Sequence, residues 1–99
     1  MAKRSNLRTR SLGDALRELI GSLGIDKKLR EYDAVNDWEA IVGPAIARVA
    51  TAEKISQGLL VVRVQASTWR NELNMRKQEI IAKLNQELGS DIVKDIKFQ

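Results

Sequence analysis

The sequence predicts a small α+β domain with the element order α-α-β-β-α-β and a three-stranded sheet packed against helices. Three observations carry this reading. Leu59 to Ala66 (Leu-Leu-Val-Val-Arg-Val-Gln-Ala) is aliphatic and β-branched, as a half-buried strand requires. Trp69, Leu73, Ile80, Leu84 and Leu88 then recur at helical spacing until Gly89, a residue suited to a left-handed position just past a helix end. Finally, Ile92 to Phe98 alternates, with Ile92, Ile96 and Phe98 on one side and Asp95 and Lys97 on the other.

The remaining elements follow in chain order. Ser11 is placed to cap a first helix, with Asp14 at its third position in a short-chained version of the capping box. Leu12, Leu16, Leu19, Ile20 and Leu23 form its apolar stripe, and Gly24 ends it. Asp26 is placed to cap a second helix, with Leu29, Tyr32, Val35, Trp38, Ile41 and Val42 along one side. Gly43-Pro44 interrupts that helix, because proline lacks the amide donor and restricts its predecessor. A further turn through Ile46 and Val49 leads to a first strand, Thr51 to Ser56. Gln57-Gly58 makes a tight turn in which Gly58 supplies a positive φ. Ser67 and Thr68 are cap candidates for a third helix, expected to run unbroken from Ser67 to Leu88.

Ninety-nine residues with 43% apolar content fit one domain of modest core, taken as residues 11–99, preceded by a basic, disordered arm over residues 1–10. The chain has neither cysteine nor histidine, which removes disulfides, thiolate zinc sites, cysteine nucleophiles and imidazole bases together. The carboxylates are scattered, and no phosphate loop or metal-ligand cluster appears. A non-enzymatic protein without cofactor or metal is expected. The basic start leads into no apolar signal core, and no run approaches membrane-spanning length, so a cytoplasmic protein without a membrane partner is expected.

Charge placement is more informative than the net value of +4. Lys3, Arg4, Arg8 and Arg10 account for all of it, since the other thirteen basic residues balance thirteen acidic ones. A neutral body with a basic arm suits contact with phosphate backbones; a solubilising tail is the alternative. On the third helix, Glu72–Arg76 and Glu79–Lys83 are matched at i, i+4. Arg70 and Lys77 have no acid at that spacing, and Arg70 falls in the first turn, where the helix dipole disfavours a cation. With Arg63 on the preceding strand they form a candidate phosphate-binding row, or they snorkel over the core edge. The opposite helix side, with Asn71, Met75, Gln78 and Ala82, is polar but nearly uncharged, as suits a protein partner. Trp38 and Trp69 lie in phase with aliphatic neighbours, which favours core packing over base stacking.

Trp38-Glu39-Ala40-Ile41-Val42-Gly43-Pro44, Gly58 to Val64, Ser67 to Leu73, Leu84 to Gly89 and Ile96-Lys97-Phe98 form an ordered series. In that order and spacing the chain resembles the DciA-type family, from about Leu12 to Phe98. The resemblance implies a K-homology-like (KH-like) domain that engages DNA and helps load or regulate the bacterial replicative helicase. Longer members of the family carry an extension after the domain, implicated in helicase contact. This chain stops at Gln99, so a retained DNA role and a lost helicase role are expected. KH domains clamp nucleic acid with a G-x-x-G loop, and Gly21-Ser22-Leu23-Gly24 has that form. Leu23 belongs to the apolar stripe of the first helix, however, which favours a helix end and its cap. Two functional readings result: a DNA-binding accessory protein of replication, on single or double strands, or an adaptor that binds the replicative helicase or another replication protein.

Overall fold

A computed structural model of the chain describes residues 12–19 and 25–99. The Lys3–Arg10 arm, Ser11, Ile20 and the Gly21–Gly24 segment lie outside the described residues. Helix α1 covers residues 12–19 and α2 covers Ile25–Asn36, followed by the short helices α3 (Trp38–Val42) and α4 (Pro44–Ala47). Strands β1 (Ala50–Ser56) and β2 (Leu59–Val64), helices α5 (Ser67–Met75) and α6 (Lys77–Leu88), and strand β3 (Asp95–Phe98) complete the chain. The class is α+β, and the order is the predicted one, with the second and third predicted helices each subdivided.

β2 is the central strand, antiparallel to β1 and parallel to β3. Its alternation decides what lies on each face. Leu60, Val62 and Val64 point into the core at 0–4% exposure, joined by Ile96 and Phe98 from β3 and by Ala50 and Ala52 from β1. Helices cover that face with Ala34, Trp38, Ile41, Leu73, Ile80, Leu84 and Leu88. Trp38 is placed as the sequence predicts: its indole N–H donates to the Ala50 carbonyl at 2.9 Å, tying α3 to β1.

The hairpin turn has positive φ at both Gln57 (51°) and Gly58 (83°), the sign pattern of a two-residue turn matched to strand twist. A β-carbon at Gly58 would also collide with the Lys94 side chain. Gly58 is a junction as well as a turn. Its carbonyl accepts from the amides of Lys94 (2.8 Å) and Asp95 (3.2 Å), and its own amide donates to the Glu31 carboxylate at 3.3 Å. Glu31 is the buried charged residue that results.

Several sequence expectations are corrected. Leu12, Leu16 and Leu19 are 54–65% exposed, because the core closes over β2 without α1. α2 begins at Ile25, so Asp26 lies within its first turn and pairs with Arg30 at 3.3 Å. The buried side of α2 is Glu31 and Ala34, not Leu29 and Tyr32, which are 57% and 63% exposed. Alanine admits the helix close to the sheet, and Glu31 accompanies it inward because Gly58 supplies a donor. The cap position of α5 is Ala66, and neither Ser67 nor Thr68 makes a side-chain cap bond there.

The helix expected to run from Ser67 to Leu88 breaks at Arg76, whose φ and ψ are −101° and 9°. Its amide donates to the Leu73 carbonyl three residues back, at 3.1 Å. Neither proline nor glycine marks the break. The two halves pack on different partners: α5 against β2 and β3, α6 chiefly against α3, with α2 and β3 beside it. At the far end the prediction holds, with Gly89 left-handed and its amide on the Asn85 carbonyl. The Asn85 side chain pins the next segment by pairing with both backbone groups of Val93, at 2.8 and 2.9 Å.

Candidate functional site

The cations singled out in the sequence occupy two ends of the central strand. Arg63 lies on the outward face of β2, in register with Thr51. Its guanidinium is 2.6 Å from the carboxylate of Glu53, the residue skipped where the β1–β2 register shifts. Arg70 turns back to donate to the Val64 carbonyl at 3.3 Å. Lys77 opens α6 with its ammonium 3.2 Å from Asp95 of β3, a residue in register with Leu59. The Asp95 carboxyl is held below its ordinary range, first by the Ile96 amide and then by Lys77.

Arg63 and Arg70 therefore gather near Val64, while Lys77 sits level with Leu59, five residues away and about 17 Å along the strand at about 3.3 Å per residue. The expected row of unpaired cations is not assembled. Arg63 and Lys77 have acidic partners, and Arg70 binds a strand carbonyl. An i, i+4 count on one helix cannot reveal a carboxylate that arrives from a strand.

A different set of cations does come together. Among the described residues, no helix residue lines the cleft on the outward face of the sheet, and the strands each contribute one basic residue to that face: Lys54, Arg63 and Lys97. Val61 stands between Lys54 and Lys97 in the register, and Leu59 beside it is 39% exposed. Lys54, Leu59, Val61 and Lys97 line one shallow cleft on this face. Val61 is only 8% exposed despite pointing outward, consistent with lysine stems lying over it. Neither Lys54 nor Lys97 is in an ion pair among the described residues. Strand alternation puts Lys97 on the polar phase of β3, but Lys54 shares its phase with the buried Ala50 and Ala52, and the register shift at Glu53 is what turns it outward.

The second surface lies where α4 meets the α5–α6 break. Trp69 is 38% exposed, so the core assignment for it is corrected. It lines a groove with Ala45, Ile46, Leu73 and Arg76. Its phase matches that of Leu73, but its turn of α5 extends past the edge of the core. Met75 next to the break is 82% exposed, and Asn71, Gln78 and Ala82 are exposed as well. Among the described residues no group of three or more acidic, histidine or cysteine side chains could hold a metal ion, and no helix is long and apolar enough to cross a membrane.

Comparison with known proteins now identifies the relationship. The pattern of the family described as "Dna[CI] antecedent, DciA" matches residues 11–98. The chain belongs to the DciA family. Relatives named UPF0232 protein from Mycobacterium bovis and Mycobacterium tuberculosis are 30% identical over 87 residues, covering 88% of this chain and 46% of their own length. A relative from Mycolicibacterium smegmatis is 29% identical over the same length, with 45% of it covered. This DciA-family chain thus spans about half the length of the curated relatives it matches. The matched region includes both surfaces described above.

Proposed function

We propose that this chain is a non-enzymatic accessory protein of bacterial DNA replication, acting in the cytoplasm as a helicase-loader type of domain that docks on DNA phosphates. Family membership supports the replication role. The observation that carries the DNA contact is the outward sheet face with Lys54, Arg63 and Lys97, one from each strand. Three cations around the partly exposed Leu59 offer charge for phosphates and an apolar side chain for a base. The Arg63–Glu53 pair is exposed, and such pairs contribute only about 0–1 kcal/mol, so a phosphate can compete for the guanidinium. Lys3, Arg4, Arg8 and Arg10 add a basic arm, and Arg70 and Lys77 are auxiliary contacts. The helix pair α5–α6 between β2 and β3 supports the KH-like reading. Its connection is Arg76 alone, and neither Arg76 nor its neighbours Asn74, Met75 and Lys77 is a glycine that would allow a close backbone clamp, which favours side-chain over main-chain contact.

The test is fluorescence anisotropy with labelled single- and double-stranded oligonucleotides in a salt titration. Lys54→Ala with Lys97→Ala should weaken binding to all sequences alike. The salt slope should fall by about 0.7–0.9 per lost phosphate contact. Removing residues 1–10 should act the same way. Unchanged affinity and slope in both variants would reject phosphate docking.

A second reading is favoured by the exposure of Trp69 and Met75 beside Ile46 and Arg76. Aromatic, Met and Arg side chains are enriched in protein interfaces. On this reading the α4–α5 groove and the Asn71–Ala82 side bind the replicative helicase. Capture of purified helicase after nuclease treatment, lost in Trp69→Ala but kept in Lys54→Ala with Lys97→Ala, would support it.

A further inference from the structure

The cleft between α2 and β1 shares Lys54 with the sheet face and is otherwise used by neither reading. β1 is an edge of the sheet, so one side of its backbone has no strand partner among the described residues. α2 runs alongside and leaves a space of about 570 Å³. Tyr32, Val35 and Ile55 supply an apolar wall, with Tyr32 63% exposed and the other two half-buried. Lys27, Lys28 and Lys54 stand around it.

The charges do not cancel. Both carboxylates lining the cleft are already engaged, Glu31 by the Gly58 amide at 3.3 Å and Glu53 by Arg63 at 2.6 Å. None of the three lysines is in an ion pair among the described residues. What the cleft leaves for a ligand is positive charge, apolar wall and a free strand edge.

We propose that this cleft binds an extended, acidic segment of a partner protein, added to β1 as a fourth strand. Strand addition supplies main-chain hydrogen bonds, while alternate side chains give specificity. Apolar residues at every second position face Tyr32, Val35 and Ile55, and intervening carboxylates reach the lysines. The register shift between Ala52 and Lys54 interrupts regular pairing, and of the two stretches it separates, the Lys54–Ser56 end is the one beside the wall and the lysines. Its lining by α2 sets this cleft apart from the Trp69 groove, and it meets the sheet face only along β1, where Lys54 lines both. The proposal is independent of DNA docking.

The test uses the full chain, isotopically labelled, titrated with a blocked hexapeptide alternating valine and glutamate and followed by amide chemical shifts. Shifts should concentrate in β1 and α2, with slowed amide exchange along β1. Lys27→Glu combined with Lys28→Glu should weaken binding at least tenfold, and Tyr32→Ala should weaken it several-fold. Both sites are exposed, so the melting temperature should hold. Peptides N-methylated on alternate residues, in the two phases, separate strand addition from side-chain contact: one phase should lose binding. The proposal is overturned if shifts fall elsewhere or are absent, if both methylated peptides bind as well, or if a valine–lysine peptide binds equally. It is also overturned if an oligonucleotide, and not the peptide, perturbs the cleft. Peptide binding that appears only in Leu12→Glu with Leu16→Glu would overturn it too, by showing that the chain's own α1 fills the cleft. Because no nucleic acid enters the peptide titration, its failure is distinguishable from failure of DNA docking.

Discussion

α1 and α6 carry large aliphatic side chains at similar helical spacing, Leu12, Leu16 and Leu19 in one and Ile80, Leu84 and Leu88 in the other. The first set is 54–65% exposed and the second 0–8%. α6 has α3 and β3 against it, whereas among the described residues no member of the core cluster comes from α1. Periodicity says which side of a helix is apolar; it does not say that a neighbour exists to cover it. α2 holds the same contrast within one helix. Leu29 and Tyr32 face out, while Glu31 and Ala34, between and beyond them, face in.

The largest expected effect tests the contrast directly. Leu84→Ala should cost about 2–5 kcal/mol in urea unfolding, as a fully buried leucine usually does, and Leu16→Ala should stay within about 0.5 kcal/mol. A comparable loss at Leu16 would break the comparison by showing that α1 packs. The two tryptophans extend it. Trp38→Ala should cost about 3–5 kcal/mol, because it removes a buried ring and its bond to Ala50. Trp69→Ala should shift the melting temperature far less, and equal shifts would return Trp69 to the core.

The polar side of α2 sharpens the point. Glu31→Ala strands the buried Gly58 amide without its carboxylate and should cost about 1–3 kcal/mol, more than Tyr32→Ala next to it. Denaturant curves on the two variants decide the order. The smallest effect concerns the link from α6 to β3. The Asp95 carboxyl is depressed when folded, so its stabilisation is complete above the ordinary carboxylate range. It is lost as pH falls through the folded value. The deficit of Asp95→Asn relative to wild type should therefore be present at neutral pH and vanish in acid. A deficit that persists unchanged at the lowest pH would assign it to packing.

Much of the fold was legible because local signals agreed with it. Gly43-Pro44, Gln57-Gly58 and Gly89 each stand where the backbone breaks, and the strand phases of β2 and β3 match their burial. The break at Arg76 was not legible, since a sequence of good helix formers carries no trace of two halves seeking different partners. The same holds for Lys77, whose acid is distant in sequence, and for Glu31, whose burial depends on a turn 27 residues away. Lys97 was legible by alternation, whereas Lys54, in phase with the buried Ala50 and Ala52, faces outward only through the register shift, and their convergence across β2 required the strand pairing.

By itself, the sequence determined the α+β class, the element order, the hairpin and the inward phase of β2 and β3, and it marked the family. These rest on spacing and on residues with special backbone freedom, which act within a few positions. Tertiary structure decided which apolar stripes were covered, which cations kept a free charge, and where a helix had to bend. Those outcomes depend on what stands opposite a side chain, and pairing strands far apart in sequence sets that.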